Sequence, residues 1–167
     1  ALTSMPELPE VETVARYLAG LRGGRIERVV LRREDLRYPI PVQAVQSLAG
    51  GYVVGVRRRA KYLLIDVETA VEGTRALLIH LGMSGRLFVD LAEDPAFEKH
   101  EHARWSISRD DGDAVLRFVD PRRFVAIDVL AASEENDHKL LANLGPEPLS
   151  SAFDAQWLHT RARGKKI

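Results

Sequence analysis

The chain has 167 residues, 46% of them hydrophobic, and its 24 lysine and arginine residues balance its 24 aspartate and glutamate residues. This length and composition are typical of one globular domain, and zero net charge excludes a global attraction to polyanions, so any nucleic-acid site must be a local patch. The lack of cysteine excludes disulfides, thiolate zinc sites and cysteine nucleophiles within the chain. No apolar run approaches the roughly 20 residues of a membrane span, and no signal-peptide pattern opens the sequence, so a cytoplasmic location is expected.

The first predicted element is an amphipathic helix from about Pro9 to Leu21. Apolar residues recur at helical spacing from Val11 onward, and Gly23 and its neighbour supply the stop. The stretch SMPELPEVETV (4–14) opens this helix with two prolines and several carboxylates. Such residues suit a first helical turn, because the N–H that proline lacks would stay unbonded there and acids complement the helix dipole.

Short apolar or alternating runs then predict seven or eight antiparallel strands. The turn DDGD (110–113) predicts a hairpin, and PVQAVQSLAGG (41–51) and SEENDHKLLANLG (133–145) are typical of short helices that end at glycine. The expected fold is mainly β with flanking α, a two-layer antiparallel β-sandwich of about eight strands with an N-terminal helix. The strand runs begin at Arg25, Tyr52, Arg75, Gly85, Ala103, Ala114 and Arg123.

A basic cluster precedes one of these strands, in VRRRAKYLLID (56–66). Its cations could grip phosphates by point charge and counterion release. They could equally blunt a solvated strand edge, as lysine and arginine commonly do. The residues concerned are Arg57, Arg58, Arg59 and Lys61.

Two further segments are candidates for loops with a function. In IHLGMSGRL (79–87), two glycines bracket Met83 in a turn, although core filling is the simpler role for methionine. In FVDPRRFVAI (118–127), an Asp-Pro turn presents Arg122, Arg123 and Phe124 together. Cations beside an aromatic ring suit a wedge in a DNA groove, whereas the alternative is a charged hairpin whose ring packs inward.

The segments PELPEVET, HLGMSG, DPRRF and NLGPEPL occur in this order. Together they resemble the N-terminal domain of bacterial formamidopyrimidine-DNA glycosylase, from Pro6 to the last residue. The resemblance implies a β-sandwich flanked by helices and a base-excision enzyme that removes oxidised purines such as 8-oxoguanine and then cleaves the strand. The implied partner is double-stranded DNA with oxidised purines or abasic sites, met by a monomeric, nucleoid-associated protein without a membrane contact.

The resemblance also implies catalytic residues in the opening stretch. Pro6 matches the family's nucleophile, a secondary amine that attacks the sugar C1′ once it is the first residue, because an α-amine has a pKa of about 8 rather than the roughly 10.4 of lysine. The iminium product permits β- and δ-elimination. Glu7 is the expected acid/base, and Glu10 is expected to support the amine or the flipped base.

Further site residues are carried over by motif position. Lys61, counted with the catalytic residues, and His80 resemble the phosphate-gripping pair. Met83, Arg122 and Phe124 resemble the residues that fill the space left by the flipped base. We expect His100 and His102 of KHEH to be structural hydrogen-bonding residues rather than metal ligands. Lys165 and Lys166, near the end of the chain, are further expected DNA contacts.

The sequence also departs from the family pattern. ALTSM (1–5), an extension or a remnant of expression, makes the Pro6 nitrogen an amide, so the chain as written is not expected to form the iminium. Val125 stands where the family has glycine, which is expected to stiffen or redirect the loop. The expected domain limits are 6–150 for the catalytic sandwich and 151–167 for a helix and basic linker.

The family's helix–two-turn–helix domain and cysteine-ligated zinc finger are not in this sequence. We therefore expect no cofactor in this chain and zinc in the C-terminal part of the longer protein. Two functions follow from the sequence. One is the catalytic half of a glycosylase and AP lyase, impaired by the masked amine and the missing half. The other is a catalytically silent fragment that binds DNA lesions or another protein.

Overall fold

The computed structural model describes residues 14–82, 84–91, 94–123, 125–131, 134, 135 and 141. These residues form a mainly antiparallel β fold, as the sequence predicts, with the strand order β5-β7-β6-β1-β2-β3-β4-β8. The strands are β1 (Arg25–Leu31), β2 (Tyr52–Arg59), β3 (Tyr62–Thr69), β4 (Gly73–His80), β5 (Arg86–Asp90), β6 (Glu101–Ser108), β7 (Ala114–Val119) and β8 (Ala126–Ala131).

The strands form two layers. β3 and β4 pair along their whole length, whereas β1 and β2 share the single registered pair Arg25↔Tyr52. The first half-sheet is therefore β5-β7-β6-β1 and the second half-sheet is β2-β3-β4-β8. Leu63 of the second half-sheet and Trp105 and Phe118 of the first lie buried in one core cluster, so the two halves form the expected β-sandwich.

The second half-sheet is also covered on its outer face. Because side chains alternate along a strand, Leu64 points away from the shared core that its neighbour Leu63 enters. Leu64, Leu78, Leu130 and Leu141 form a second, smaller buried cluster there. The central strands of this half-sheet are therefore apolar on both faces.

The helices are short in the described part of the chain. Residues 14–18 are helical and continue into the 3₁₀ turn Ala19–Leu21, after which Gly23 adopts φ +87° and ends the element. This agrees with the predicted helix, whose first turn lies outside the described residues. The helix Val42–Gln46 lies within the predicted segment 41–51. Among the described residues, no helix has the length and apolarity needed to cross a membrane.

Several predicted boundaries were wrong. β4 begins at Gly73, two residues before the predicted Arg75. The run from Tyr52 is two strands, because Arg59 pairs with Tyr62 and the residues between them form a turn in which Ala60 has φ +52°. β6 begins before Ala103, since Glu101 and His102 already belong to the strand. β8 begins after Arg123, which has φ +58° and so interrupts the extended chain. The predicted DDGD hairpin is confirmed, because it joins the paired strands β6 and β7.

Several predicted features lie outside the described residues. They include the opening stretch 1–13, most of the helix predicted in 133–145, and the linker 151–167. The domain limits at 6, 150 and 151 therefore stay predictions.

Candidate nucleic-acid interface

One end of the second half-sheet brings Lys61 and His80 together. Lys61 lies in the β2–β3 turn, and the next residue, Tyr62, pairs with His80 at the end of β4. His80 in turn pairs with Ala126, the first residue of β8. The segment before β8 carries Arg122, so strand pairing alone directs three predicted site residues to the same end of the sheet.

His80 is partly buried beside an aromatic ring. The centroids of the His80 and Tyr62 rings are 4.9 Å apart, with 35° between the planes. Burial lowers the pKa of His80 below its ordinary value, and the positive charges of Arg37 and Lys61 lower it further. Burial likewise raises the pKa of Tyr62. His80 is therefore neutral at pH 7 and offers a hydrogen bond rather than a charge.

The Met83 turn, residues 81–85, is tightly closed. The Gly85 N–H donates to the Leu81 carbonyl at 2.8 Å, and Gly82 adopts φ +60°. A Cβ on Gly85 would lie 2.3 Å from the Leu81 oxygen and 2.3 Å from Val125 Cγ1, so only glycine fits between the turn and the start of β8. Met83 itself lies outside the described residues, and its role stays a prediction.

Asp120 connects this turn to the Arg122 loop, residues 120–125. The Ser84 hydroxyl and the Arg122 N–H, at 3.0 Å, both donate to Oδ1 of the fully buried Asp120. The Asp120 carbonyl contacts Nε2 of buried His102 at 2.6 Å, and its N–H donates to the His100 carbonyl at 3.0 Å. The two loops and the KHEH segment are thus held together by one residue, and His102 has the structural role expected of it.

Val125 anchors the other end of the Arg122 loop. Its side chain is fully buried against Gly85, and its carbonyl accepts the Arg37 N–H at 3.1 Å. Val125, which stands where the family has glycine, therefore fills space beneath the Met83 turn, and its effect on the stiffness or direction of the loop stays a prediction. Arg122 is exposed on this loop, whereas Phe124 lies outside the described residues.

Two arginines of the basic cluster are engaged within the chain. Arg57 binds Asp66 through two hydrogen bonds of 2.6 and 2.8 Å and contacts Glu135 at 2.8 Å. Arg59 also reaches Glu135, at 3.3 Å. Hydrogen bonding to Arg57 holds the pKa of Glu135 below its ordinary value. These two arginines therefore stabilise the fold, and the phosphate-binding alternative has no support from them.

A cationic recess was not identified from the sequence. It is a depression of about 280 Å³ beside the Arg122 loop, and its walls come from three distant segments, 32–33, 99–102 and 121–123. The doublet at Arg32 and the KHEH motif were its only local signals. Its cationic side chains are Arg32, Arg33, Lys99 and Arg123. His100, His102 and the buried carboxylate of Glu101 also line it, and burial lowers the pKa of His102 below its ordinary value.

A buried ion-pair network supports the segment that carries Lys99 and His100. Glu101 accepts from Arg104 Nε at 2.6 Å and from Arg117 Nη2 at 2.7 Å, and all three are buried. Burial alone would raise the pKa of Glu101, but the hydrogen bonds from the two arginines outweigh it and hold that pKa below its ordinary value. Both arginines also donate to backbone carbonyls of residues 95 and 96, which fixes the segment to the first half-sheet.

The residues present do not fit a zinc site of the thiolate kind. The chain contains no cysteine, and no group of three or more potential metal ligands occurs among the residues that the structure describes. We therefore assign no step to a metal. The remaining predicted site residues, which lie outside the described part, are Pro6, Glu7, Glu10, Lys165 and Lys166.

The sequence of this chain is similar to those of known proteins. Residues 5–127 match the family model of the formamidopyrimidine-DNA glycosylase N-terminal domain. Formamidopyrimidine-DNA glycosylase of Acidiphilium cryptum is 52% identical over 163 residues, which are 97% of this chain and 55% of that protein. The corresponding Xanthomonas euvesicatoria protein is 53% identical, with 97% and 56% covered. The chain thus spans little more than half the length of these relatives.

Solved structures of the same family have a similar fold. The Lactococcus lactis enzyme, bound non-covalently to DNA with an AP site, superposes with a TM-score of 0.80 at 28% identity, covering 97% of this chain and 60% of that one. MutM in complex with DNA containing carbocyclic 8-oxo-G gives 0.77 at 29% identity, with 95% and 57% covered. The family match extends over most of the chain and includes the Met83 turn and the Arg122 loop. The chain therefore belongs to the formamidopyrimidine-DNA glycosylase family and carries the N-terminal domain of that family.

Proposed function

We propose that this chain is the catalytic part of a bifunctional DNA glycosylase and AP lyase that removes oxidised purines in base excision repair. The observation that carries the proposal is the convergence of Lys61, His80, the Met83 turn and the Arg122 loop at one end of the second half-sheet. Its ligand is double-stranded DNA with an oxidised purine or an abasic site, and its place of action is the bacterial cytoplasm, at the chromosome.

The convergent residues divide the work of DNA binding. Lys61 supplies a point charge and His80 a neutral hydrogen bond to backbone phosphates, which position the duplex without reading its sequence. Arg122 and Phe124 reach into the stack, where contacts to the orphaned base offset the few kcal/mol that extrusion of a nucleotide costs. The cationic recess beside the Arg122 loop adds charge along the strand.

The chemistry belongs to the opening stretch. The lone pair of a free Pro6 amine attacks C1′, the bond from C1′ to the damaged base breaks, and the base leaves with a proton. Glu7 donates a proton to the ring oxygen as the sugar opens to the iminium ion. Loss of the C2′ proton expels the 3′ phosphate, and a second elimination expels the 5′ phosphate. A single amine thus accounts for base removal and strand cleavage.

Borohydride trapping tests this function, because reduction of the iminium leaves a permanent protein–DNA crosslink. The substrates are duplexes with 8-oxoguanine or an abasic site. The proteins are this chain, the chain beginning at Pro6, and a protein of the relatives' full length made both with and without residues 1–5 before Pro6. We expect a crosslink from the full-length protein and its loss when residues 1–5 precede Pro6.

The same experiment separates the alternative function. A folded, DNA-binding full-length protein that has a free Pro6 and forms no crosslink would exclude the lyase. A Pro6→Gly variant is a suitable control, because its primary amine can still form an imine while the proline ring is lost. A silent fragment that binds lesions would bind these duplexes and yield no crosslink in any form.

A further inference from the structure

Arg37 is a second cation, besides Lys61, at the end of the second half-sheet that carries Lys61 and the neutral His80. It lies in a narrow loop between β1 and the helix Val42–Gln46, closed by the bridge Asp35↔Pro39 and by a hydrogen bond from the Leu36 N–H to the Tyr38 carbonyl. The guanidinium carbon of Arg37 is 5.5 Å from the centre of the Tyr38 ring. The loop therefore presents Arg37 on a short, doubly closed support.

Two observations place Arg37 between His80 and the Arg122 loop. Its backbone N–H donates to the carbonyl of Val125. Val125 directly precedes Ala126, which pairs with His80. Its charge also lowers the pKa of His80, and this effect is larger than that of Lys61. Arg37 is thus fixed by its backbone to one loop and acts electrostatically on the histidine beside it.

The charge of Arg37 is not neutralised within the described part of the chain. The side chain is exposed, and no ion pair joins it to a described carboxylate, whereas Arg57 and Arg59 share Glu135. No carboxylate is among the groups that shift the pKa of His80. Arg37 and Lys61 therefore place positive charge beside the neutral His80 at this end of the sheet, and an anion would offset that positive potential.

We propose that Arg37 is a phosphate-contacting residue that completes, with Lys61 and His80, a three-sided site for one phosphodiester of the DNA backbone. This inference rests on the proposed function, because DNA supplies the phosphodiester. The planar guanidinium can donate two parallel hydrogen bonds to the two non-bridging oxygens, which a lysine ammonium cannot do. Since the backbone N–H of Arg37 is hydrogen-bonded to the carbonyl of Val125, the bound phosphate is held at a fixed position relative to the Arg122 loop.

The placement of Arg37 is tested first in the free protein. An NMR titration follows the ring protons of His80 in the wild-type chain and in Arg37→Gln. We expect the pKa of His80 to rise toward its ordinary value of about 6.5 in the variant, because a neighbouring positive charge is removed. An unchanged pKa of His80 would overturn the placement and the proposal with it.

Arg22→Gln is the matched control for this titration. Arg22 is also exposed, and its substitution removes the same charge. It lies just before β1, whose first residue pairs with the first residue of β2. Lys61 lies beyond the last residue of β2, at the opposite end of that strand. Eight strand residues separate the two ends by roughly 25 Å. The control should leave the pKa of His80 unchanged.

The contact is tested by DNA binding over a series of KCl concentrations, with fluorescence anisotropy of a labelled duplex that contains a tetrahydrofuran abasic analogue. Arg37→Gln should reduce the slope of log K against log salt by about 0.9, the loss of one phosphate contact. Arg37→Lys should keep that slope and bind more weakly. Arg22→Gln should change neither quantity.

The outcomes distinguish this inference from the proposed function. A wild-type chain that binds the duplex with the same salt slope as Arg37→Gln would overturn the phosphate contact and leave DNA binding intact. A wild-type chain that does not bind the duplex would overturn DNA binding by this chain and the phosphate site together. A reduced slope in Arg37→Gln, with a normal slope in the control, supports both.

Discussion

At Gly85, the Met83 turn and the start of β8 approach too closely for any side chain. A Cβ would lie 2.3 Å from both the Leu81 oxygen and Val125 Cγ1, and the first of these is a backbone atom that cannot rotate away. Gly85→Ala should therefore lower the free energy of unfolding by about 3 kcal/mol, the upper part of the usual range for overpacking. Urea unfolding of the variant and the wild type measures this difference.

Gly20→Ala is the control for Gly85→Ala. Nothing lies within 4 Å of a Cβ at Gly20, and neither glycine has a φ in the left-handed region, so the two substitutions differ in steric space. Gly20→Ala should leave the stability unchanged or slightly raised. Adding Val125→Ala to Gly85→Ala should restore only part of the loss, because the Leu81 contact remains. Equal stability of the two alanine variants would show that the loops do not meet at Gly85.

The predicted site residues differ in how much of their setting the sequence contained. His80 and Arg122 were identified because each lies in a short motif, and strand pairing then directs both to one end of the sheet. Arg37 was not predicted as a site residue, because its position depends on a hydrogen bond from its N–H to the carbonyl of Val125, far along the chain. A motif identifies a residue by its neighbours in the sequence, whereas the electrostatic potential at that residue comes from its neighbours in the tertiary structure.

At the scale of elements, alternation predicted the strands well because it is a local property of the chain. The β2–β3 turn was missed for a physical reason: Ala60 and Lys61 are not residues that favour turns. The pairing of Arg59 with Tyr62 imposes φ +52° on Ala60 all the same. Tertiary structure therefore overrides local preference at the turn that presents Lys61.

The connection between the two site loops also has no local signal. The Ser84 hydroxyl and the Asp120 carboxylate that it contacts are 36 residues apart, and the Arg57–Glu135 contact spans 78 residues. Side-chain contacts at such separations follow from the sheet order, which periodicity does not determine. The sequence therefore predicts the loops and leaves their coupling to be found in the structure.

Asp120→Ala should release both loops together. The substitution leaves the Ser84 hydroxyl and the Arg122 N–H without their acceptor, so we expect a loss of about 2–4 kcal/mol in the free energy of unfolding. Amide hydrogen exchange, followed by mass spectrometry of peptides, should become faster in residues 81–85 and in residues 120–125 alike. The Asp120 carbonyl, which contacts His102, is retained in the variant.

Ser84→Ala separates the two contributions at Asp120. It removes one of the two donors described above and should cost about 1 kcal/mol, with faster exchange mainly in the Met83 turn. If Asp120→Ala accelerated exchange in residues 120–125 alone, the two loops would be independent and Asp120 would not couple them.

For the molecule as a whole, the two half-sheets are joined by few backbone contacts and by many buried side chains. β1 and β2 share a single registered pair, and the other backbone hydrogen bonds at this junction join residues 23–26 to residues 50–53 at one end of these strands. Buried side chains from both half-sheets, in contrast, fill one core. Neither half can expose its inner face without removing the apolar surface that covers the other. The hydrophobic contribution is therefore shared, and partial unfolding of one half-sheet would leave the other with an uncovered face.

This shared core predicts cooperative unfolding. Leu63 of β3 and Leu116 of β7 are both buried in it, and replacement of either by alanine should cost about 2–5 kcal/mol. Each variant is made in a Trp157→Phe background, so that tryptophan fluorescence reports only on buried Trp105 in the first half-sheet. This fluorescence and far-UV circular dichroism should give one coincident urea transition. Val71→Ala, at a side chain that is 94% exposed, should leave the transition unchanged. A Leu63→Ala protein that lost part of its circular dichroism while Trp105 kept its native emission would contradict this prediction. The half-sheets would then unfold separately, and the shared core would not make their unfolding cooperative.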